Sequence, residues 1–254
     1  MRFCSIGSGS KGNGTLIQQG KTTLLIDSGF TVKEIEQRLA QKDLHASDIT
    51  AVLVTHEHAD HIKGVGPLAR KYNLPVYLTY GTAQHHSLGI LPQAHIFDPH
   101  DCFDIGDLQV QPVVVPHDAR EPVQYVVNNG REKMGVLTDL GSITPHILAC
   151  YRGCHGLMLE TNHDLMMLQN GPYPASLKAR VASDKGHLNN LQAAEFLAMT
   201  DKNILQHVVA THISEQNNDA QLAVQCLAEV LSCQPEWVAI ADQQAGLSWR
   251  DLRA

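Results

Sequence analysis

In His56-Glu57-His58-Ala59-Asp60-His61, the donors His56, His58, Asp60 and His61 place three imidazoles and a carboxylate within six residues, with Glu57 between them. Those are the donors that zinc, manganese and iron(II) accept, and four of them this close together point to a metal. The spacing is not that of the helical zinc proteases, which need His-Glu-x-x-His; the second histidine's position holds Asp60. A solvated loop that happens to be rich in histidine is the competing reading. Three further donors follow apolar runs at comparable places: His117, Asp139 and His212. Taken singly, a histidine at a strand end is often a hydrogen-bonded structural residue. Their shared context favours a common site. Seven nitrogen and oxygen donors exceed one tetrahedral site and suit two divalent metals bridged by a carboxylate, a hydrolytic arrangement.

Such donors meet only if strands deliver them to one edge, and the pattern between them alternates strand and helix. The first thirty residues predict strand, Gly-rich turn, strand, turn, strand, with Thr15–Gln18 and Thr22–Ile26 flanking Gln19-Gly20-Lys21 as a hairpin. Residues 31–42 carry Val32, Ile35 and Leu39 at helical spacing. Ile49–Val54 is a short continuous apolar run, as in a strand buried on both faces, and it leads straight into the His-Asp cluster. A helix is expected over His61–Tyr72 and a strand over Val76–Thr79. The strands Leu108–Val115 and Met134–Thr138 precede His117 and Asp139, and Leu157–Glu160 is another. Leu191–Met199 and Ala220–Leu231 predict helices, His207–Thr211 and Trp237–Ala241 strands. No Pro/Ser-rich linker or charge block marks a boundary, so one α/β domain over residues 1–254 is expected. Side chains at the carboxyl ends of such strands face the crevice where α/β proteins bind ligands.

Composition narrows the class. A chain that is 43% hydrophobic and 18% charged is neither disordered nor fibrous. No apolar run approaches a membrane span, and the N-terminus lacks a secretory apolar core, so a cytoplasmic protein is expected. The six cysteines form no Cys-x-x-Cys pair and read as reduced thiols. A net charge of −7 argues against a protein that coats nucleic acid, leaving local charge to hold any such substrate. Lys178, Arg180 and Lys185 cluster near the chain's Gly186-His187, and Lys11 sits in the first glycine-rich turn. They are either phosphate contacts or a solvated basic face. Cys150, Cys154 and His155 lack a fourth ligand for zinc and fit a buried helix face. Gly7-Ser8-Gly9-Ser10-Lys11-Gly12 matches the dinucleotide pattern, but Asn13-Gly14-Thr15 continues it into turn and strand where a helix is needed. It reads as a tight inter-strand loop, with a backbone contact to substrate as the alternative.

His-x-His-x-Asp-His, followed by a later His, an Asp and a C-terminal His, resembles the metallo-β-lactamase-fold hydrolases. That resemblance implies an αββα sandwich with a dimetal site at one edge. It implies His56, His58 and His117 around one metal, Asp60, His61 and His212 around the other, and Asp139 bridging. Asp27 in Ile26-Asp27-Ser28-Gly29 matches the superfamily's early Asp, which steadies the ligand loop, although a turn Asp is equally compatible with its sequence. The diiron oxygen-reducing branch carries Glu at the position of His58. The β-lactamases lack a match to His61 and place Cys at Asp139. Thioesterases of the glyoxalase II type need a helical C-terminal domain.

Glu160, Gly186-His187 and the final Thr211-His212 resemble the phosphodiesterase branch that includes tRNase Z. More closely, Ser8-Gly9-Ser10-Lys11-Gly12-Asn13, Asn162-His163-Asp164, Tyr173-Pro174, Gly186-His187-Leu188 and Asn217-Asn218 resemble the YycJ/WalJ family over essentially the whole chain. Asn189 departs from that family's Ser. The resemblance implies a nuclease, a 5′-to-3′ exonuclease on double-stranded DNA with a role in repair, working with two zinc, manganese or iron(II) ions. Asp60 would ligate metal and orient the attacking water, and His187 held by Glu160 would protonate the leaving oxygen. A structural place before the helix at Asn189 is the other reading of His187. His163 is either a support or substrate contact, or structural. The competing function is a small-molecule hydrolase of a thioester, lactone or cyclic phosphodiester, since the same donors serve carbonyl and phosphorus chemistry. A binding protein that keeps the fold without turnover is disfavoured by the complete donor set. No membrane partner is expected, and oligomeric state is left open.

Overall fold

The computed structural model describes residues 1–253. Fourteen strands form two seven-stranded sheets among the described residues. The first half of the chain contains β1 (Arg2–Gly7), β2 (Gly14–Gln19), β3 (Thr22–Ile26), α1 (Val32–Ala40), β4 (Ala51–Leu53), α2 (Ala59–Ile62), α3 (Val65–Tyr72), β5 (Pro75–Leu78), α4 (Tyr80–Ala83) and β6 (Gln93–Ile96). The second contains β7 (Phe103–Ile105), β8 (Leu108–Val114), β9 (Val123–Asn128), β10 (Lys133–Leu137), α5 (Pro145–Tyr151), β11 (Gly156–Glu160), α6 (Leu165–Asn170), α7 (Ala175–Val181), α8 (Asn190–Ala198), β12 (His207–Thr211), α9 (Ala220–Leu231), β13 (Ala239–Ile240) and β14 (Leu247–Asp251). The sheet orders are β14-β1-β2-β3-β4-β5-β6 and β13-β12-β11-β10-β9-β8-β7. In each, antiparallel hairpins give way to parallel strands joined through helices.

The two-residue period of a strand sorts side chains into layers. Phe3, Ile17, Leu24, Ala51 and Leu53 face Val123, Tyr125, Val127, Met134 and Val136 between the sheets. Their neighbours Cys4, Leu16, Leu25, Val52 and Val54 pack outward on Ile35, Leu39, Leu68 and Ala69 of α1 and α3. On the other side Val113, Val126, Leu137 and Leu157 pack on Ile147, Phe196 and Leu227 of α5, α8 and α9. The result is the αββα sandwich, a sheet-on-sheet core with helices on both outer faces.

Three expectations need correction. The helix over His61–Tyr72 is two, α2 and α3, because Gly64 breaks it: its N–H donates to Ser28 O, and a Cβ there would lie 2.2 Å from Phe30 O. The strand Ile49–Val54 shortens to β4. Trp237–Ala241 yields only the two-residue edge strand β13, after a 3₁₀ turn begun by Pro235, whose ring cannot donate to a ladder. The last strand is instead β14, which returns to pair antiparallel with β1. No helix among the described residues is long and apolar enough to cross a membrane.

Candidate metal centre

The predicted donors all stand at one edge, where strands end. Asp27 follows β3, the His-Asp cluster follows β4, His117 follows β8, Asp139 follows β10, Glu160 ends β11 and His212 follows β12. Asp27, Asp139 and His212 have φ of 61°, 50° and 50°. Side chains other than glycine rarely take this left-handed region, and its strain concentrates where surrounding contacts hold a functional side chain in place.

His56 Nε2 lies 3.0 Å from His58 Nδ1, which lies 3.2 Å from His117 Nε2. Beside this triplet, Asp60 Oδ2 is 3.4 Å from both His61 Nε2 and His212 Nε2. Asp139 joins the groups, with Oδ2 at 3.2 Å from His61 Nε2 and Oδ1 at 3.5 Å from His212 Nε2. The outward nitrogens are held from behind. His61 Nδ1 meets Asp27 Oδ2 at 2.7 Å, while Asp27 accepts from Thr55 N and Thr55 Oγ1. His117 Nδ1 donates to Gly186 O at 3.0 Å. Such partners fix tautomer and ring orientation and leave the inner nitrogens for a cation.

The electrostatics ask for positive charge. Burial opposes a proton on His212, yet Asp139, Asp60 and Glu160 hold its ring up to about 10. His61 is raised in the same way, its burial outweighed by Asp139, Asp60 and Asp27. Burial is likewise outweighed in Asp139 and Asp60, whose neighbouring histidines hold them well below the usual carboxylate range. His56 and His117 are pushed the other way, chiefly by burial, and stay neutral as ligands should. Asp139 Oδ2 is buried without a hydrogen-bond partner. Imidazole nitrogens crowded at 3.0–3.2 Å and an orphaned carboxylate oxygen are what a bound divalent cation satisfies, so the residues fit one.

The groups open onto a cavity of about 360 Å³. His187 lines it, with Nδ1 at 2.7 Å from Glu160 Oε1; Glu160 Oε2 accepts from Leu140 N and Leu188 N. The helix cap is Asn189, whose side chain accepts from Gln192 N, so His187 is not the capping residue. An amide oxygen serves there as well as the family's hydroxyl. Arg180 lines the cavity mouth and pairs with Asp118, itself 3.5 Å from His117 Nε2. Lys178 and Lys185 do not line it; the Lys178 ammonium donates to Gln169 O. Lys11 pairs with Glu215 at 2.7 Å. His163 is buried away from the cavity, both ring nitrogens unpartnered, and burial pushes it down to about 4. Tyr173 of the Tyr173-Pro174 motif lines the cavity, as do Asp118 and Leu177, which no motif marks; adjacency to His117 is the only sequence signal for Asp118.

This fold and donor set define a metal-dependent hydrolase of the β-lactamase superfamily. Residues 22–213 match the family model described as Beta-lactamase superfamily domain. The chain is 38% identical to "Exodeoxyribonuclease YycJ" of Bacillus anthracis, over 91% of this chain and 89% of that protein. It is 36% identical to "Exodeoxyribonuclease WalJ" of Streptococcus pneumoniae serotype 2, over 87% and 85%. The metallo-β-lactamase fold protein YhfI of Bacillus subtilis superposes with a TM-score of 0.73 at 19% identity, covering 95% of this chain and 96% of that one. Within the superfamily, the chain belongs to the YycJ/WalJ family.

Proposed function

We propose that this protein is a dimetal exodeoxyribonuclease that degrades double-stranded DNA from the 5′ end and serves repair in the cytoplasm. The observation that carries the reading is the His187–Glu160 pair, opening onto the same cavity as the His-Asp groups. A phosphodiester's alkoxide leaving group needs a proton, and a carboxylate-held imidazole supplies one. The relatives named exodeoxyribonuclease support the substrate class, and the six free cysteines suit a reducing compartment.

His56, His58 and His117 would hold one metal and Asp60, His61 and His212 the second, with Asp139 between them. Imidazole and carboxylate donors suit zinc and manganese, with iron(II) also accommodated. Bound there, divalent ions supply Lewis acidity at the phosphoryl group and acidify water. The chain's own groups do the rest. Asp60, at the cavity floor, accepts a hydrogen bond from the attacking water and aims it at phosphorus. As the bond from phosphorus to the 3′ oxygen breaks, His187 Nε2 gives that oxygen its proton, and Glu160 stabilises the charged ring. Arg180 steadies a neighbouring phosphate, exchanging Asp118 for it. Asp27 keeps His61 in register.

A gel time course on end-labelled duplex DNA with Mn²⁺ tests the reading. Progressive loss from the 5′ end, abolished in Asp60→Asn and reduced in His187→Ala, is expected. No cleavage of DNA or RNA by the metal-replete protein would overturn it and turn attention to thioesters, lactones and cyclic nucleotides.

A further inference from the structure

The second metal position draws its residues from both sheets: Asp60 and His61 follow β4, and His212 follows β12. One side chain from a third place ties them together. Asn13 closes the glycine-rich loop between β1 and β2 and is almost fully buried. Its backbone N–H donates to Asp60 O at 2.8 Å, and its side-chain amide donates to Gly9 O at 3.1 Å and Asp60 Oδ2 at 3.3 Å. That same nitrogen lies 3.2 Å from His61 Nε2. The amide oxygen accepts from Gly9 N and from Ser8 Oγ. Ser8 Oγ in turn accepts the backbone N–H of His212 at 2.9 Å.

We propose that Asn13, acting with Ser8, is a positioning residue that clamps Asp60 and His212 into the second metal position. The inference rests on the assignment of Asp60, His61 and His212 to one metal. The loop can do this because it is itself held. Gln243 Oε1 accepts from Lys11 N and its Nε2 donates to Gly12 O, while Arg38 donates to Ile6 O and Gln243 O. On the inner side Gly29 N donates to Asn13 O, and a Cβ on Gly29 would lie 1.7 Å from Asp60 O. Three loops therefore stack through backbone contacts that only glycine at 29 permits. Asp60 needs such a clamp more than the other two residues of that position do. Its side chain is 24% exposed, against 0% for His61 and 4% for His212, so packing leaves it the most freedom. Neither the dinucleotide reading of the loop nor direct phosphate binding is required.

The test starts from the Mn²⁺-loaded protein and lowers free Mn²⁺ with a graded chelator, reading metal content and the electron paramagnetic resonance spectrum. In the wild type, two equivalents and the signature of a coupled manganese pair are expected. In Asn13→Ala the second ion should leave at 10- to 100-fold higher free Mn²⁺, the usual loss for removing a ligand's supporting partner, while the first stays near its wild-type affinity. The spectrum should pass through a mononuclear manganese signal. Ser8→Ala, which cuts the link to His212 and one of the two bonds to the Asn13 amide oxygen but leaves Asn13 on Asp60, should shift the same step by less. Wild-type metal retention in both variants overturns the proposal, as does equal weakening of both ions. If Asn13→Ala does not fold, Ser8→Ala decides alone. If the wild type holds only one ion, the dimetal reading fails, and this inference with it.

Discussion

His187 Nδ1 meets Glu160 Oε1 at 2.7 Å, and Glu160 is wholly buried beneath it. The carboxylate is held down to about 2, its burial outweighed by His187, so it stays ionised. For His187, burial alone would disfavour the charged ring; Glu160 outweighs it and raises the pKa. In Glu160→Gln the burial remains and the opposing charge is gone, so the pKa falls. The protonated acid is then lost at lower pH, and the alkaline limb of kcat/KM moves toward acid. His187→Ala should cost about 10²–10⁴-fold in kcat, the usual range for a general acid. A pH–rate series on a labelled duplex checks both, and an unmoved alkaline limb in Glu160→Gln rules out His187 as that acid.

Asp27 touches His61 only through the nitrogen that faces away from the other donors. Asp27→Asn tolerates the left-handed backbone and can still accept from Thr55 N, but loses the charge that orients His61. Metal affinity should fall roughly 10- to 100-fold, with little change in fold. Chelator titration followed by circular dichroism separates the two effects.

The His56–His61 cluster and its companions His117, Asp139 and His212 are legible in the sequence because chemistry and position coincide: each is a rare donor type directly after an apolar strand. The layers are less legible: Leu24-Leu25-Ile26 is a continuous apolar run, which marks a strand buried on both faces without showing which residue meets which layer. What is hidden is long-range. Nothing local shows β14 returning to β1, or a glutamine at 243 reaching Lys11 and Gly12. Arg180 and Lys178 look alike in sequence. Two residues apart on α7, about half a turn, they face opposite ways, the guanidinium toward the cavity mouth and the ammonium toward a carbonyl of α6. Val123–Asn128 carries a strand signal in its β-branched run and forms the buried strand β9.

In the metal-free protein the surrounding carboxylates Asp139, Asp60 and Glu160 hold a proton on His212 against its burial. Its ring is held up to about 10, and His61 is raised alongside it, whereas a free imidazole is neutral above about 6.5. Metal uptake at pH 8 by the chelator-treated protein should therefore release protons, as ligands must shed them to bind. Apparent affinity should rise with pH through this range. Calorimetry in two buffers of different ionisation enthalpy reads the count directly. Zero release at pH 8 would mean that neither ring is protonated in the metal-free protein.

Arg180 gives the sharpest separation of a nuclease from a small-molecule hydrolase. Its guanidinium is 58% exposed and anchored by Asp118 at the cavity mouth, so little stability rests on the pair. If it steadies a phosphate one step along the strand, Arg180→Ala should weaken DNA binding at every sequence alike. The slope of log affinity against log salt should drop by about one, the value of a single lost phosphate contact. Turnover of a small chromogenic phosphodiester that reaches only the His-Asp groups should hold within a few-fold. Asp118→Asn frees the guanidinium and should move DNA affinity the opposite way. An unchanged salt slope in Arg180→Ala would leave Arg180 as part of the solvated face, and the backbone of the strand would have to be held elsewhere.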